Sequence, residues 1–238
     1  MITIDLERLP LFPGARVLDI GCGTGRHACA IHATRQGIVV AADIKITDLV
    51  ETRRRLRFHD QTGCHRGGRW AVSAADITRL PFSDESFDLV ICSEVLEHIP
   101  DDRKALTELA RVLKTGRPIV VSVPRFYVEK ICWHLSDAYH REPGGHIRIY
   151  SRKRLIRRLE SAGFAPGRHH YAHSLHAPYW WLKCLVGVDR TDVAIVNGYH
   201  RFLTWEIMKK PMLVCAAGYL LNPVLGKSLV VYAVRRGW

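Results

Sequence analysis

Apolar residues along this 238-residue chain gather into short runs separated by amphipathic stretches. That is the rhythm of strands buried on both faces and of helices that cover them. Val17, Leu18 and Ile20 form the first run, and Gly21-Cys22-Gly23-Thr24-Gly25 breaks it. A helical pattern follows over Arg26–Gln36, and Ile38–Asp43 reads as the second strand. Thr47 to His59 predicts a helix capped by Thr47, with Leu49, Val50 and Leu56 inward and Arg53, Arg54, Arg55 and Arg57 outward. Trp70–Ala75, Phe87–Ser93 and Ile119–Val123 read as the third to fifth strands, with a helix over Asp101–Leu113 before the fifth. An aromatic helix over Phe126–His140, a turn from Pro143 to Tyr150 and a helix over Arg152–Ala162 capped by Ser151 come next. Phe164–His176 and Ser228–Arg235 supply the sixth and seventh strands. The alternation predicts an α/β fold with a doubly wound, mainly parallel sheet. Met1–Gly14 reads as a lead-in whose Leu6, Leu9, Leu11 and Phe12 cap the sheet edge.

Residues 177–226 separate the last two strands, whereas a hairpin needs about 2–5 residues. The chain therefore divides into a core, residues 1–176 and 227–238, and a helical insertion rich in aromatics, including Tyr179, Trp180, Trp181, Phe202 and Trp205. The insertion reads as a cap that packs its apolar faces on the sheet edge. Sharper readings make it the wall of a pocket for a hydrophobic ligand, or a face lying on a membrane. Met212–Leu225 carries no charge, and Lys209, Lys210, Lys227, Arg235 and Arg236 flank it.

Composition adds limits. Hydrophobic content of 47% and mean hydropathy of -0.04 describe a soluble globular chain, and no uncharged apolar run reaches the ~20 residues of a membrane span. The start, Met1-Ile2-Thr3-Ile4-Asp5, lacks the basic-then-apolar design of a signal peptide. Seven scattered cysteines without a C-x-x-C pair read as reduced, buried thiols of a cytoplasmic protein. A net charge of +12 favours anionic partners. The basic stretch Gln61–Arg69 has no aromatics interleaved to stack bases, so a solvated face accounts for it better than a nucleic-acid patch.

The glycine spacing selects the ligand. A dinucleotide turn, G-x-G-x-x-G, would need glycine at Arg26, and a P-loop would need Lys after Gly25. Asp19 ends the first strand and Asp43 the second; the latter is at the distance where one βα unit delivers a carboxylate to ribose hydroxyls. The run Val17-Leu18-Asp19-Ile20-Gly21-Cys22-Gly23-Thr24-Gly25 resembles the first motif of the class I S-adenosylmethionine-dependent methyltransferases, and Leu80-Pro81-Phe82-Ser83-Asp84-Glu85-Ser86-Phe87-Asp88 resembles their connector before the fourth strand. The resemblance covers roughly residues 10–165 and implies a Rossmann-like seven-stranded sheet with the last strand antiparallel. It also implies S-adenosylmethionine as cofactor. Its binding residues would be Asp19, Gly21, Cys22, Gly23 and Gly25 at the turn, Asp43 with Ile44 at the ribose, Asp76 with Ile77 at the adenine, and Ser93 after the fourth strand.

Methyl transfer to a hydroxyl benefits from a base with pKa near neutrality, for which histidine suits best. Among thirteen histidines, His98 after the fourth strand and His146 beyond the aromatic helix stand in the right places, followed by His134, His140 and Tyr150. A second reading makes Glu94, Glu97 and His98, with His146 as a later ligand, a divalent-metal site. The E-x-x-E-H string looks like that of small-RNA 3′-terminal 2′-O-methyltransferases and ubiquinone-pathway O-methyltransferases. The family's [DNS]-P-P-[YF] motif of amine methylation is absent, since Ser93-Glu94-Val95-Leu96 stands there, and Pro124 is followed by Arg125 instead of a C5-methylating cysteine. The leading expectation is O-methylation of a small or lipid-like metabolite. The alternatives are metal-assisted ribose methylation of RNA and a non-catalytic cofactor-binding scaffold.

Overall fold

The computed structural model describes residues 2–142 and 144–237. Seven strands form one sheet: β1 (Arg16–Ile20), β2 (Ile38–Asp43), β3 (Arg69–Ala74), β4 (Leu89–Ser93), β5 (Pro118–Pro124), β6 (Phe164–Ala172) and β7 (Ser228–Arg235). Their order is β3-β2-β1-β4-β5-β7-β6, parallel from β3 to β5, with β7 antiparallel to both neighbours. The order reverses between β1 and β4, where open α/β sheets bind ligands beyond the carboxyl ends of the strands.

Central strands are largely apolar because helices cover both faces. All five residues of β4 are buried. The helices are α1 (Arg26–Thr34), α2 (Ile46–Gln61), α3 (Asp102–Val112), α4 (Phe126–Leu135), α5 (Asp137–Arg141) and α6 (Arg152–Ser161). Three more, α7 (His176–Val186), α8 (Ala194–Lys209) and α9 (Met212–Leu225), fill the stretch between β6 and β7. One core, including Phe87, Leu106, Leu109 and Leu159, lies under α3 and α6; the other, including Ile31, Val39 and Ile91, lies on the opposite face.

Several local expectations are corrected. Helix α1 stops at Thr34, because Arg35 turns extended while its N–H still closes on Ile31 O. Helix α2 starts at Ile46 after Lys45, so Thr47 is inside the first turn and caps nothing. Val50 points outward at 65% exposure, and Thr52 takes the inward place between Leu49 and Leu56. The aromatic helix breaks at Ser136, which closes α4 and caps α5, its Oγ accepting from Tyr139 N. Strand β6 ends at Ala172, and His173 follows with φ +66°. The cap on α6 holds: Ser151 Oγ accepts from Arg154 N. The lead-in covers the face around the central strands instead of an edge: Ile4 and Leu9 are buried there, and Phe12 is exposed beneath the Arg117 guanidinium. The first residue of the turn expected at Pro143 lies outside the described residues. Cysteines 22, 29, 92, 132 and 184 are buried, whereas Cys64 is exposed and Cys215 half-buried, so burial does not extend to all seven. The arginines of α2 form a solvated face, two of them paired with Glu51.

Candidate functional site

The turn after β1 is built by its glycines. Gly21, Gly23 and Gly25 have φ of +65°, +51° and +78°, a region L side chains rarely adopt. A Cβ on Gly21 would clash with Val95 and one on Gly25 would meet Thr52 at 2.7 Å, whereas one on Gly23 meets nothing within 4 Å. The outer two are thus seated against the protein, and the middle one turns its bare backbone to open space. Thr52 Oγ1 also donates to Gly23 O at 2.8 Å, and this contact explains why a threonine is buried on α2.

Two carboxylates flank the turn. Asp43 Oδ2 accepts from Gly23 N at 2.8 Å and Oδ1 from Lys45 N at 2.9 Å, so it ties the loop to the end of β2. Ile44 beside it is 68% exposed, an apolar surface next to a carboxylate. Asp19 is buried behind the loop, and its Oδ2 accepts from Ala28 N at 3.0 Å. Burial raises the Asp19 carboxyl to about 7 against the lowering effects of Ala28 N–H and Arg26. The adjacent His27 ring accepts from Thr3 N, and burial pushes it down to about 3, so it stays neutral next to Asp19. Because its folded pKa is raised, Asp19 costs stability as pH climbs from about 4 to about 7. Asp19→Asn should therefore gain on the wild type over that window by up to about 1.4 kcal/mol per pH unit, read from urea unfolding at several pH values. A pH-independent difference between the two would contradict the assignment.

Farther along the carboxyl edge, Asp76 is exposed and accepts from Thr78 N and Oγ1, which hold its carboxyl below the usual range. Ile77 buries its side chain in the core. Ser122 Oγ donates to Glu94 Oε1 at 2.9 Å, so Ser93 Oγ, 2.8 Å away, donates to Ser122. Glu94 has φ +57°, a strained value for a residue with a side chain.

The histidines gather at the same edge. His98 and His146 meet edge to face with ring centroids 4.9 Å apart. His98 Nδ1 donates to Gly145 O at 3.1 Å, since a carbonyl can only accept. His146 Nδ1 lies 2.5 Å from Glu129 Oε1. Glu129 is buried on α4, also accepting from Trp133 Nε1 at 3.1 Å and Tyr139 OH at 3.3 Å. Both rings thus have Nδ1 engaged, which leaves Nε2 free to take a proton or bind a cation. Burial lowers the pKa of His98, with His146 adding to the effect.

One carboxyl group joins the two imidazoles. Glu97, His98 and His146 offer ligand atoms all within 4.8 Å of one another. Both Glu97 oxygens are buried without a hydrogen-bond partner among the described residues, and burial, reinforced by Glu94 and Glu129, raises the carboxyl well above its usual range. A buried orphan carboxyl beside two imidazoles fits a divalent cation, which would be held by Glu97, His98 and His146. Glu94, the fourth expected ligand, is outside this group with its carboxylate on Ser122. In a second grouping, His32, Asp60 and His65, Asp60 accepts from His32 Nε2 and Trp70 Nε1 and His65 Nδ1 accepts from Gly67 N, while His32 Nδ1 is buried without a partner among the described residues.

Other candidates are set apart. Tyr150 is buried and donates to Asp102, which also pairs with Arg148 and Arg158, a structural network. His140 stacks on Trp133, and His134 is exposed. Glu129, Ser122, Val95 and Thr52 escaped sequence reasoning. Only Glu129 left a signal there, as a lone acid on an apolar helix stripe with Val128 and Cys132.

Comparison with known proteins places this geometry. A model of the methyltransferase domain matches residues 18–121. The demethylmenaquinone methyltransferase of a Parafrankia species is 37% identical over 221 residues, covering 82% of this chain and 83% of the relative. The chain belongs to the class I S-adenosylmethionine-dependent methyltransferases. The match to some methyltransferase relatives is shorter. Methyltransferase GfsG of Streptomyces halstedii is 32% identical over 116 residues and the O-methyltransferase rstn1 of Aspergillus nomiae is 34% identical over 121 residues. Those alignments take in 49% of this chain but only 40% and 49% of the relatives, so the chain spans less than half their length. Among solved structures, a geranyl diphosphate methyltransferase in complex with S-adenosylmethionine superposes with TM-score 0.61 at 14% identity, covering 95% of this methyltransferase and 80% of that chain. The [4+2]-cyclase SpnF gives 0.64 at 20% identity, with coverage of 98% and 79%. These two show the shared fold.

Proposed function

We propose that this methyltransferase transfers the methyl group of S-adenosylmethionine to an oxygen of a small, hydrophobic acceptor, with His146 as the base. Bound over the glycine turn, the cofactor supplies a methyl group already activated on a sulfonium. The protein then needs to hold the acceptor oxygen in line and remove its proton. The observation that carries the reading is the pairing of buried Glu129 with half-buried His146 at the carboxyl edge of the sheet. A carboxylate on Nδ1 fixes the ring and its tautomer so that Nε2 is the proton acceptor.

In this reading Asp43 holds the ribose and Ile44 packs on the adenosine. The turn of Gly21, Cys22, Gly23 and Gly25, with Asp19 buried behind it, receives the amino-acid end, and Asp76 with the backbone of Ile77 and Ser93 completes the rim. Residues 177–226 form a cap unit on the 1–176 and 227–238 core; α7 already packs on α4, with Trp181 Nε1 donating to Val128 O. Trp180 extends this contact to Tyr139, whose hydroxyl holds Glu129. A cytoplasmic setting suits the seven free thiols.

Relatives support an oxygen acceptor by name: rstn1 is an O-methyltransferase, and another is 27-O-demethylrifamycin SV methyltransferase. The Parafrankia relative favours a second reading, in which the acceptor is a quinol-type ring: the same base takes its hydroxyl proton, a ring carbon takes the methyl group, and that carbon's proton leaves to the reprotonated oxygen or solvent as the ring regains aromaticity. Incubation with methyl-13C S-adenosylmethionine and a panel of phenols, aliphatic alcohols and quinols tests both. NMR of the product should show the label on oxygen; label on carbon supports the second reading, and no labelled product from any acceptor overturns both. Adding a chelator, with metal analysis of the purified protein, decides whether Glu97, His98 and His146 act with a cation.

A further inference from the structure

Helix α9 has two unlike faces. Its inner side is anchored: Ser174 Oγ donates to Gly218 O at 2.7 Å, and Asn222 Oδ1 accepts from Ser174 N at 3.0 Å. Cys215, Gly218 and Asn222 look into a cavity of about 890 Å3 between α9, the end of β6 and the lead-in. The outer side carries Leu213, Ala216, Ala217, Leu220 and Val224 at helical spacing, and none of them lines that cavity. Leu213 is 79% and Leu220 75% exposed, and no residue of α9 is buried. The inner side of α9 meets the edge strand β6, and its outer apolar face is left uncovered. Met208 and Trp205 toward the end of α8 are exposed as well, at 75% and 45%.

Such a contiguous apolar face on a folded chain calls for a partner. Its charge setting selects one. Lys209 stands exposed at its start together with Lys210, which also borders the cavity, and Arg201 is exposed about two turns earlier. The one acid of α8, Glu206, is half-buried on the wall of the cavity. Two copies facing each other here would oppose these cations, on a chain that carries +12 overall. At 14 residues, or about 21 Å, α9 is too short to cross a bilayer, and no helix among the described residues is long and apolar enough to do so. We propose that the outer face of α9, with the end of α8, seats this methyltransferase in the headgroup layer of a bilayer containing anionic phospholipid. The helix lies in the plane of the interface, its leucines in the acyl boundary and Lys209 and Lys210 among the phosphates.

Flotation with phosphatidylcholine vesicles, with and without phosphatidylglycerol, tests this on the whole protein. The wild type should float with the phosphatidylglycerol vesicles and lose binding at high salt. Leu213→Glu with Leu220→Glu should weaken partitioning at least ~10-fold, and Lys209→Gln and Lys210→Gln by about fivefold each. Unchanged S-adenosylmethionine affinity would show that the variants are folded. Failure of the wild type to float, or full binding by the double leucine variant, overturns the proposal. So does a solution dimer that the leucine variant separates while vesicles capture nothing, because the face would then join two copies. Equal binding to vesicles of phosphatidylcholine alone overturns the role of the lysines.

Discussion

Replacing His146 with alanine is expected to lower turnover by ~10²–10⁴-fold while leaving S-adenosylmethionine affinity within about twofold. The split follows from placement. His146 is on the loop after α5, its ring against His98 and Glu129, whereas the glycine turn is built by β1, α1 and the end of β2. A base acts on the proton in transit and contributes little to holding the cofactor. Glu129→Gln separates positioning from bulk. Glutamine can turn its amide nitrogen to Nδ1 and favour the wrong imidazole tautomer, so turnover should fall although the volume is unchanged. Single-turnover rates and calorimetric affinities, measured on both variants across pH, give the answer. A His146→Ala enzyme with wild-type turnover would remove this residue as base and as ligand alike.

Asp43→Ala is expected to weaken S-adenosylmethionine binding by about 100-fold with the fold intact. Charge-assisted hydrogen bonds to two ribose hydroxyls are worth roughly 1.5 kcal/mol or more each. A further loss comes from the loop, because the same carboxylate accepts from Gly23 N and Lys45 N. Asp43→Asn keeps an acceptor for one of those donors but loses the charge, and should fall between wild type and alanine. Isothermal titration with S-adenosylmethionine measures the ladder, and circular dichroism checks the fold. Affinity equal to wild type in Asp43→Ala would take the ribose away from this edge of the sheet.

The strands and the glycine turn are legible in the sequence because their cause is local. Val17, Leu18 and Ile20 are apolar because both faces of a parallel strand are covered, and Gly21, Gly23 and Gly25 are spaced for a left-handed backbone at alternate positions. Elsewhere a neighbour outranks the local pattern. Val50 is as apolar as Leu49, yet Thr52 takes the inward position because Gly23 O and the space behind Gly25 await it. The aromatic helix looked continuous to His140, yet it breaks where the Ser136 hydroxyl caps a new turn.

The candidate site divides along the same line. Asp19, Asp43 and the glycines could be placed from the sequence by itself, since each is at the end of a strand whose neighbour in the sheet is set by right-handed βα connections. The sequence also determined the family, through motifs whose spacing reflects one ligand. Only the tertiary structure paired Glu129 with His146, left Glu97 without a partner while turning Glu94 to Ser122, and exposed the leucines of α9. Those outcomes depend on which distant segments are packed together and on which surfaces are left uncovered. Periodicity along the chain records which face is apolar, but not what meets it.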